Sequence, residues 1–238
     1  MFRFCIIAYP ILFSWTLYLI YKGQDTSEFI SYVMLGTAVT SMWGSISFSS
    51  AGDIDRERFM GALQVIFSSP AKFSIIMFGK VIGNTILGFC SMVLSFAFVM
   101  VFFKVKLIVA NPFYFALSIA LGIVSFAFIA MMLSGLLAIS RNTRVLMNCL
   151  DYPIFIFCGT VFPIDVLPIW TRPISYILSP TYVLKLARMS IVGISDYYNF
   201  YTHLISLIAL TLVYLLLFIW LYRVIDIKAR EEATLEVI

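Results

Sequence analysis

The sequence predicts an all-α membrane protein of six transmembrane helices, with a charged surface segment after the second and a broken re-entrant helical hairpin after the fifth. Three observations carry this expectation. The 238 residues are 62% hydrophobic and only 12% charged, with a mean hydropathy of +1.03, whereas a soluble domain carries about a quarter charged residues. Apolar runs recur at membrane length, which is about 20 residues because about 30 Å of hydrocarbon is crossed at 1.5 Å per residue. Between them lie a charged, helix-competent stretch and a proline-rich apolar stretch that neither a plain loop nor a plain span explains. The chain, 1–238, reads as one transmembrane domain.

The expected spans cover residues 5–21, 29–51, 81–103, 113–139, 145–162 and 204–222. The first is not a signal peptide: Tyr9-Pro10 sits inside it, and Lys22-Gly23-Gln24-Asp25 follows in place of a small-residue cleavage site. The second is poor in large aliphatic residues. Its Thr37, Thr40, Ser41, Gly44 and Ala51 share one arc at 100° per residue. Small residues let helices approach and hydroxyls bond across a contact, so this face serves ordinary packing, a translocation path or a dimer seam.

Residues 53–70 come next. Asp53, Asp55, Arg56, Glu57 and Arg58 precede Phe59, Met60, Gly61, Leu63, Ile66 and Phe67, and the segment stops at Ser68-Ser69-Pro70. Apolar residues at helical spacing beside a charged face predict a helix lying on the membrane surface, its polar side open to a soluble partner. The third span opens with Gly79 and Gly83, a small-xxx-small pair. Gly79-Lys80 is no phosphate loop, because Ser74 stands where the upstream glycine is required. If ATP powers this protein, another polypeptide binds it.

Asp151 lies inside the fifth span, about 9 Å deep by helical rise. An intramembrane acid is a functional candidate by default; here it is either an ion pair with Arg141 or Arg144 or a transport residue. The stretch 163–188 then holds Pro163, Pro168, Pro173 and Pro180, four of the eight prolines. Proline breaks helices, yet Val166, Leu167, Ile169, Trp170, Ile174 and Ile177 keep the stretch apolar. Short helices that enter the membrane and return satisfy both facts, provided protein covers the loose backbone. Pro163, Pro168, Trp170 and Pro180 then belong to an outer gate, or Trp170, Tyr176 and Tyr182 anchor an interfacial cap. The last span is Leu-rich throughout and suits a lipid-facing helix.

Six spans put both termini on one side. That side holds Arg3, Arg56, Arg58, Lys72, Lys80, Arg141, Arg144, Arg223, Lys228 and Arg230, the larger share of the 16 Lys and Arg, which marks it as cytoplasmic and the protein as multi-pass in the cell membrane. Cys5, Cys90, Cys149 and Cys158 all lie in apolar stretches without CxxC spacing, so they read as packing residues and no metal site is expected. His203 stands alone, which leaves no acid-base constellation for a membrane enzyme. Nothing in the pattern suggests nucleic acid.

Two ordered motifs then resemble those of type-2 ABC exporter permeases. The first is Glu57-Arg58, Gly61, Ser69-Pro70 and Gly79-Lys80. The second is Cys158-Gly159, Phe162-Pro163, Leu167-Pro168, Trp170, Ser179-Pro180, Arg188 and Gly193. The resemblance spans about residues 5–222. It implies that 53–70 is a coupling helix seated in a groove of a separate ABC ATPase subunit, which binds ATP and Mg, and that this chain has no cofactor of its own. It also implies pairing with a second permease copy or a homologous permease, and an outer proline-rich closure. Such permeases usually begin with an amphipathic interfacial helix; only Met1 to Phe4 precede the first span here. A channel or secondary transporter would show inverted repeats or several intramembrane charges, and neither is visible. The expected cargo is hydrophobic or amphipathic (a drug, peptide antibiotic or lipid-linked molecule), with polysaccharide or glycolipid export as the alternative.

Overall fold

The computed structural model describes residues 2–21, 30–62, 66, 73–104, 109–139 and 156–232, and every regular element among them is helical. Helix α1 is Phe2–Tyr21. A π turn, Ile30–Met34, leads directly into α2, Leu35–Phe59. Then follow α3, Phe73–Phe103; α4, Pro112–Ile139; a 3₁₀ turn, Ile164–Val166; α5, Arg172–Ile177; α6, Ser179–Val192; and α7, Tyr197–Glu232. Three of these are long and apolar enough to cross a membrane: α3, α4 over Pro112–Leu137, and α7 over Tyr197–Ile225. The expected span 145–162 lies mostly outside the described residues; of its last part, Ile156 and Phe157 are helical and the chain bends from Cys158 onward.

Helix α2 is the axis of the bundle. Residues 33–47 are all buried, and α2 packs against α1, α3, α4 and α6. Its low hydropathy follows from this position: its Ser and Thr side chains face protein, while α3 and α7 carry the exposed apolar side chains. The α2–α3 contact is close because Gly88 lies against Ile46 and the Met42 carbonyl. Gly79 and Gly83, the pair expected to mediate packing, face open space instead.

Two boundaries differ from expectation for local reasons. Helix α2 continues unbroken through Asp53 to Phe59, so the charged residues extend the second helix and are not the start of a separate surface helix. No breaker precedes Gly61, which supplies the turn with φ +69°, a conformation glycine adopts freely. Helix α3 begins at Phe73, two turns before the expected span, since Phe73, Ile75, Ile76, Met77 and Phe78 extend the apolar run ahead of Lys80.

The prolines of the outer stretch sit where helices tolerate them. Pro173 and Pro180 occupy the first turns of α5 and α6, where no backbone N–H is required. The α5–α6 corner reaches deep into the bundle: the Tyr214 hydroxyl donates to the Ile177 carbonyl, and Val183 fills the space beside Gly122. From there the 14-residue α6 runs about 20 Å back to the start of α4, where the backbone N–H groups of Ala110 and Asn111 donate to the Ile191 and Ser190 carbonyls.

Candidate functional site

At the Asp53 end, α2 and α3 meet through a polar seam. Ser49, Ser50, Asp53 and Glu57 follow one another along a face of α2, and Lys80 and Asn84 lie one turn apart on α3. The buried Asn84 amide is the hub. Its Oδ1 accepts from the Ser49 hydroxyl, and its Nδ2 donates to Asp53 Oδ2 at 3.1 Å and to Ser50 Oγ at 3.4 Å. Lys80 forms an ion pair with Glu57, whose side chain is only 9% exposed. Asp53 also takes a hydrogen bond from Arg56 Nη2 at 2.9 Å. Arg58 Nη2 donates at 3.1 Å to the Leu137 carbonyl of α4.

The predicted contact residues therefore split into two groups. Asp53, Glu57 and Arg58 turn inward, against the expectation that they face a partner, because α3 supplies an amide and an ammonium and α4 a carbonyl acceptor. Arg56, Phe59, Met60 and Gly61 face outward, with Phe59 93% and Met60 63% exposed. An apolar knob at the end of a charged helix is the kind of exposed patch that marks an interaction site. The Asp55 side chain lies outside the described residues, as do Ser68, Ser69 and Pro70.

Thr37, Thr40, Ser41 and Gly44 are all buried within the one chain. The Thr37 hydroxyl bonds the Val33 carbonyl, and Ser41 Oγ bonds the Thr37 carbonyl at 2.7 Å. Both bonds lie within the chain's own helical turns, while the buried Thr40 hydroxyl has no hydrogen-bond partner among the described residues. Within the chain, α1, α3, α4 and α6 cover this face.

At the other end of α2, about 36 Å away by helical rise, irregular backbone is held by three side chains. The guanidinium of Arg188 lies 4.1 Å from the Tyr32 ring centroid, and its Nη2 donates to the Gly159 carbonyl at 2.7 Å. The Tyr21 ring stacks on Tyr32 at 5.1 Å, and its hydroxyl donates to the Val161 carbonyl at 2.7 Å. Burial lowers the Arg188 pKa from its ordinary value while the two tyrosines oppose the shift; an arginine stays charged under such a change. Thr160 sits so close to Gly36 that a Cβ there would lie 2.4 Å from its carbonyl oxygen. Nearby, Arg172 Nη2 donates to the Asp165 carbonyl at 2.8 Å. Pro163 is half-buried, Pro168 and Trp170 are exposed, and Pro180 is buried.

The family model described as ABC-2 family transporter protein matches residues 12–220. The chain belongs to this family. A comparison with curated proteins returned no match. Membership makes the chain the membrane permease of an ABC transporter, a subunit without its own nucleotide site.

In this permease the site residues that sequence reasoning missed are Asn84 and Ser49 at one end and Tyr21 and Tyr32 at the other; Lys80 and Arg188 entered only as members of the two resembling motifs. The first group left a trace: Asp53 and Glu57 are spaced i,i+4 on one helix, and Lys80 and Asn84 have the same spacing at the start of the next. The second left none, because Tyr21 and Val161 are 140 residues apart and meet through a backbone carbonyl. The candidate acid Asp151, with Arg141 and Arg144, lies outside the described residues.

Proposed function

We propose that this permease exports a hydrophobic or amphipathic substrate across the cell membrane, driven by a separate ATPase that docks on the Phe59–Met60 tip of α2. The observation that carries this reading is the exposed Phe59 at the end of a helix whose Asp53, Glu57 and Arg58 are engaged within the chain. A helix anchored by Asn84, Lys80 and the Leu137 carbonyl resists local bending, so a push on the tip moves α2 as a rod. Its far end carries Tyr32, the platform for Arg188. ATPase motion would thereby reach the proline-rich segment without a flexible link. Six spans, both termini on the ATPase side and pairing with a second permease complete the proposal; the basic excess at the Asp53 end supports that orientation.

The segment 163–188 acts in this scheme as a re-entrant outer closure. The deep α5–α6 corner against Tyr214, and the return of α6 to the start of α4, support it. Phe59→Asp with Met60→Ser is expected to abolish ATPase co-purification and substrate export while leaving expression and melting temperature unchanged. Full co-purification in that variant would sink the docking proposal. Cysteines at the exposed positions of Asp165 and Tyr198 should both react with an impermeant thiol reagent from outside; opposite sidedness would make the hairpin a full crossing.

A further inference from the structure

A cleft of about 340 Å³ opens between the start of α3 and the last buried turns of α7, within the size range of small-molecule sites (about 300–1,000 Å³). Its polarity is ordered along both helices. Ser74 and Arg223 lie at one end, while Phe78 on α3 and Phe218 and Ile219 on α7 lie about 6–8 Å further along the helix axes. Ile75 and Phe78 are exposed toward the surrounding hydrocarbon. The Tyr222 ring, stacked on Phe73 at 5.6 Å, backs the cleft. Among the described residues Arg223 has no carboxylate partner. Helices α3 and α7 otherwise barely touch.

We infer that this cleft binds an anionic phospholipid of the adjacent leaflet, its phosphate on Arg223 and Ser74 and one acyl chain along Ile75, Phe78, Phe218 and Ile219. Charge selects the occupant. A guanidinium with no carboxylate partner among the described residues attracts a net-negative headgroup at a membrane boundary, whereas the cation of a choline headgroup would be repelled. The apolar depth selects a lipid over a free anion, since inorganic phosphate leaves the aromatic part of the cleft unfilled. The bound lipid adds to the Phe73–Tyr222 contact between these two helices, and it does so independently of any ATPase.

The test uses the full chain purified in mild detergent, with phosphatidylglycerol and phosphatidylcholine of matched acyl chains added in turn. One cation beside an anionic headgroup corresponds to about a fivefold preference for phosphatidylglycerol, read as lipid retained in native mass spectrometry and as a higher melting temperature. Arg223→Gln should erase the preference, Arg223→Lys should keep most of it, and Ile75→Trp should lower retention of both lipids by filling the cleft. Equal retention of the two lipids by the unmodified protein would overturn the proposal. So would a preference that survives Arg223→Gln, or stabilisation by inorganic phosphate equal to that by phosphatidylglycerol.

Discussion

The two ends of α2 are fastened by different chemistry. At the Asp53 end, side chain meets side chain: two carboxylates, an amide and an ammonium close the joint between consecutive helices. At the Arg188 end, side chains hold irregular backbone, with Arg188 and Tyr21 donating to the Gly159 and Val161 carbonyls. The first joint is intolerant, because removing one member leaves a buried charge or amide without its partner. The second releases backbone that water can satisfy once exposed. A stiff joint at the end offered to a partner and a releasable joint at the end facing the proline-rich segment is an arrangement suited to transmitting a push into an opening.

The sharpest way to break that contrast is at the seam. Lys80→Ala should destabilise the protein by about 3–5 kcal/mol, the range for a buried charge stripped of its partner, seen as loss of folded material on size-exclusion chromatography. Lys80→Met combined with Glu57→Gln should recover much of it. An undisturbed Lys80→Ala protein would mean the seam does not hold α2 to α3.

The next effect belongs to Gly36→Val. Its Cβ meets a backbone oxygen and not the tip of a mobile side chain, so an overpacking cost of about 1–3 kcal/mol is expected. The strain should appear as faster labelling of a cysteine placed at Thr160. Arg188→Gln should cost less, about 1.5–3 kcal/mol from a charged hydrogen bond, partly offset by solvation of the freed carbonyl. It should raise passive substrate leak more than it lowers the melting temperature. The smallest change in stability is expected from Phe59→Ala, within about 0.5 kcal/mol as for other surface sites, with transport lost all the same. If Phe59→Ala and Lys80→Ala lowered the melting temperature equally, the two ends would not differ as described.

Much of the candidate site was legible in residues alone. The charged run with Phe59 and Met60 behind it marked the α2 tip, and the prolines marked the irregular segment. The inward turn of Glu57 and Arg58 was not legible, because helical periodicity assigns residues to faces without saying which neighbour lies on each face. The same gap left the Thr37, Thr40, Ser41 and Gly44 arc open to packing, path and seam readings. A hydroxyl that can bond its own i−4 carbonyl is compatible with lipid, a partner or a core, so only packing decides among them.

Composition and spacing by themselves determined that this protein is helical and membrane-embedded, where its longest apolar helices run and where proline interrupts them, since the cost of burying backbone and charge in hydrocarbon is local to each segment. Tertiary structure decided that α2 stands at the centre, that Gly88 and not Gly79 or Gly83 makes the close approach, and that Arg188 reaches Gly159 and Tyr32. Those outcomes depend on which surfaces meet. That is a property of several segments at once, and no single stretch of sequence contains it.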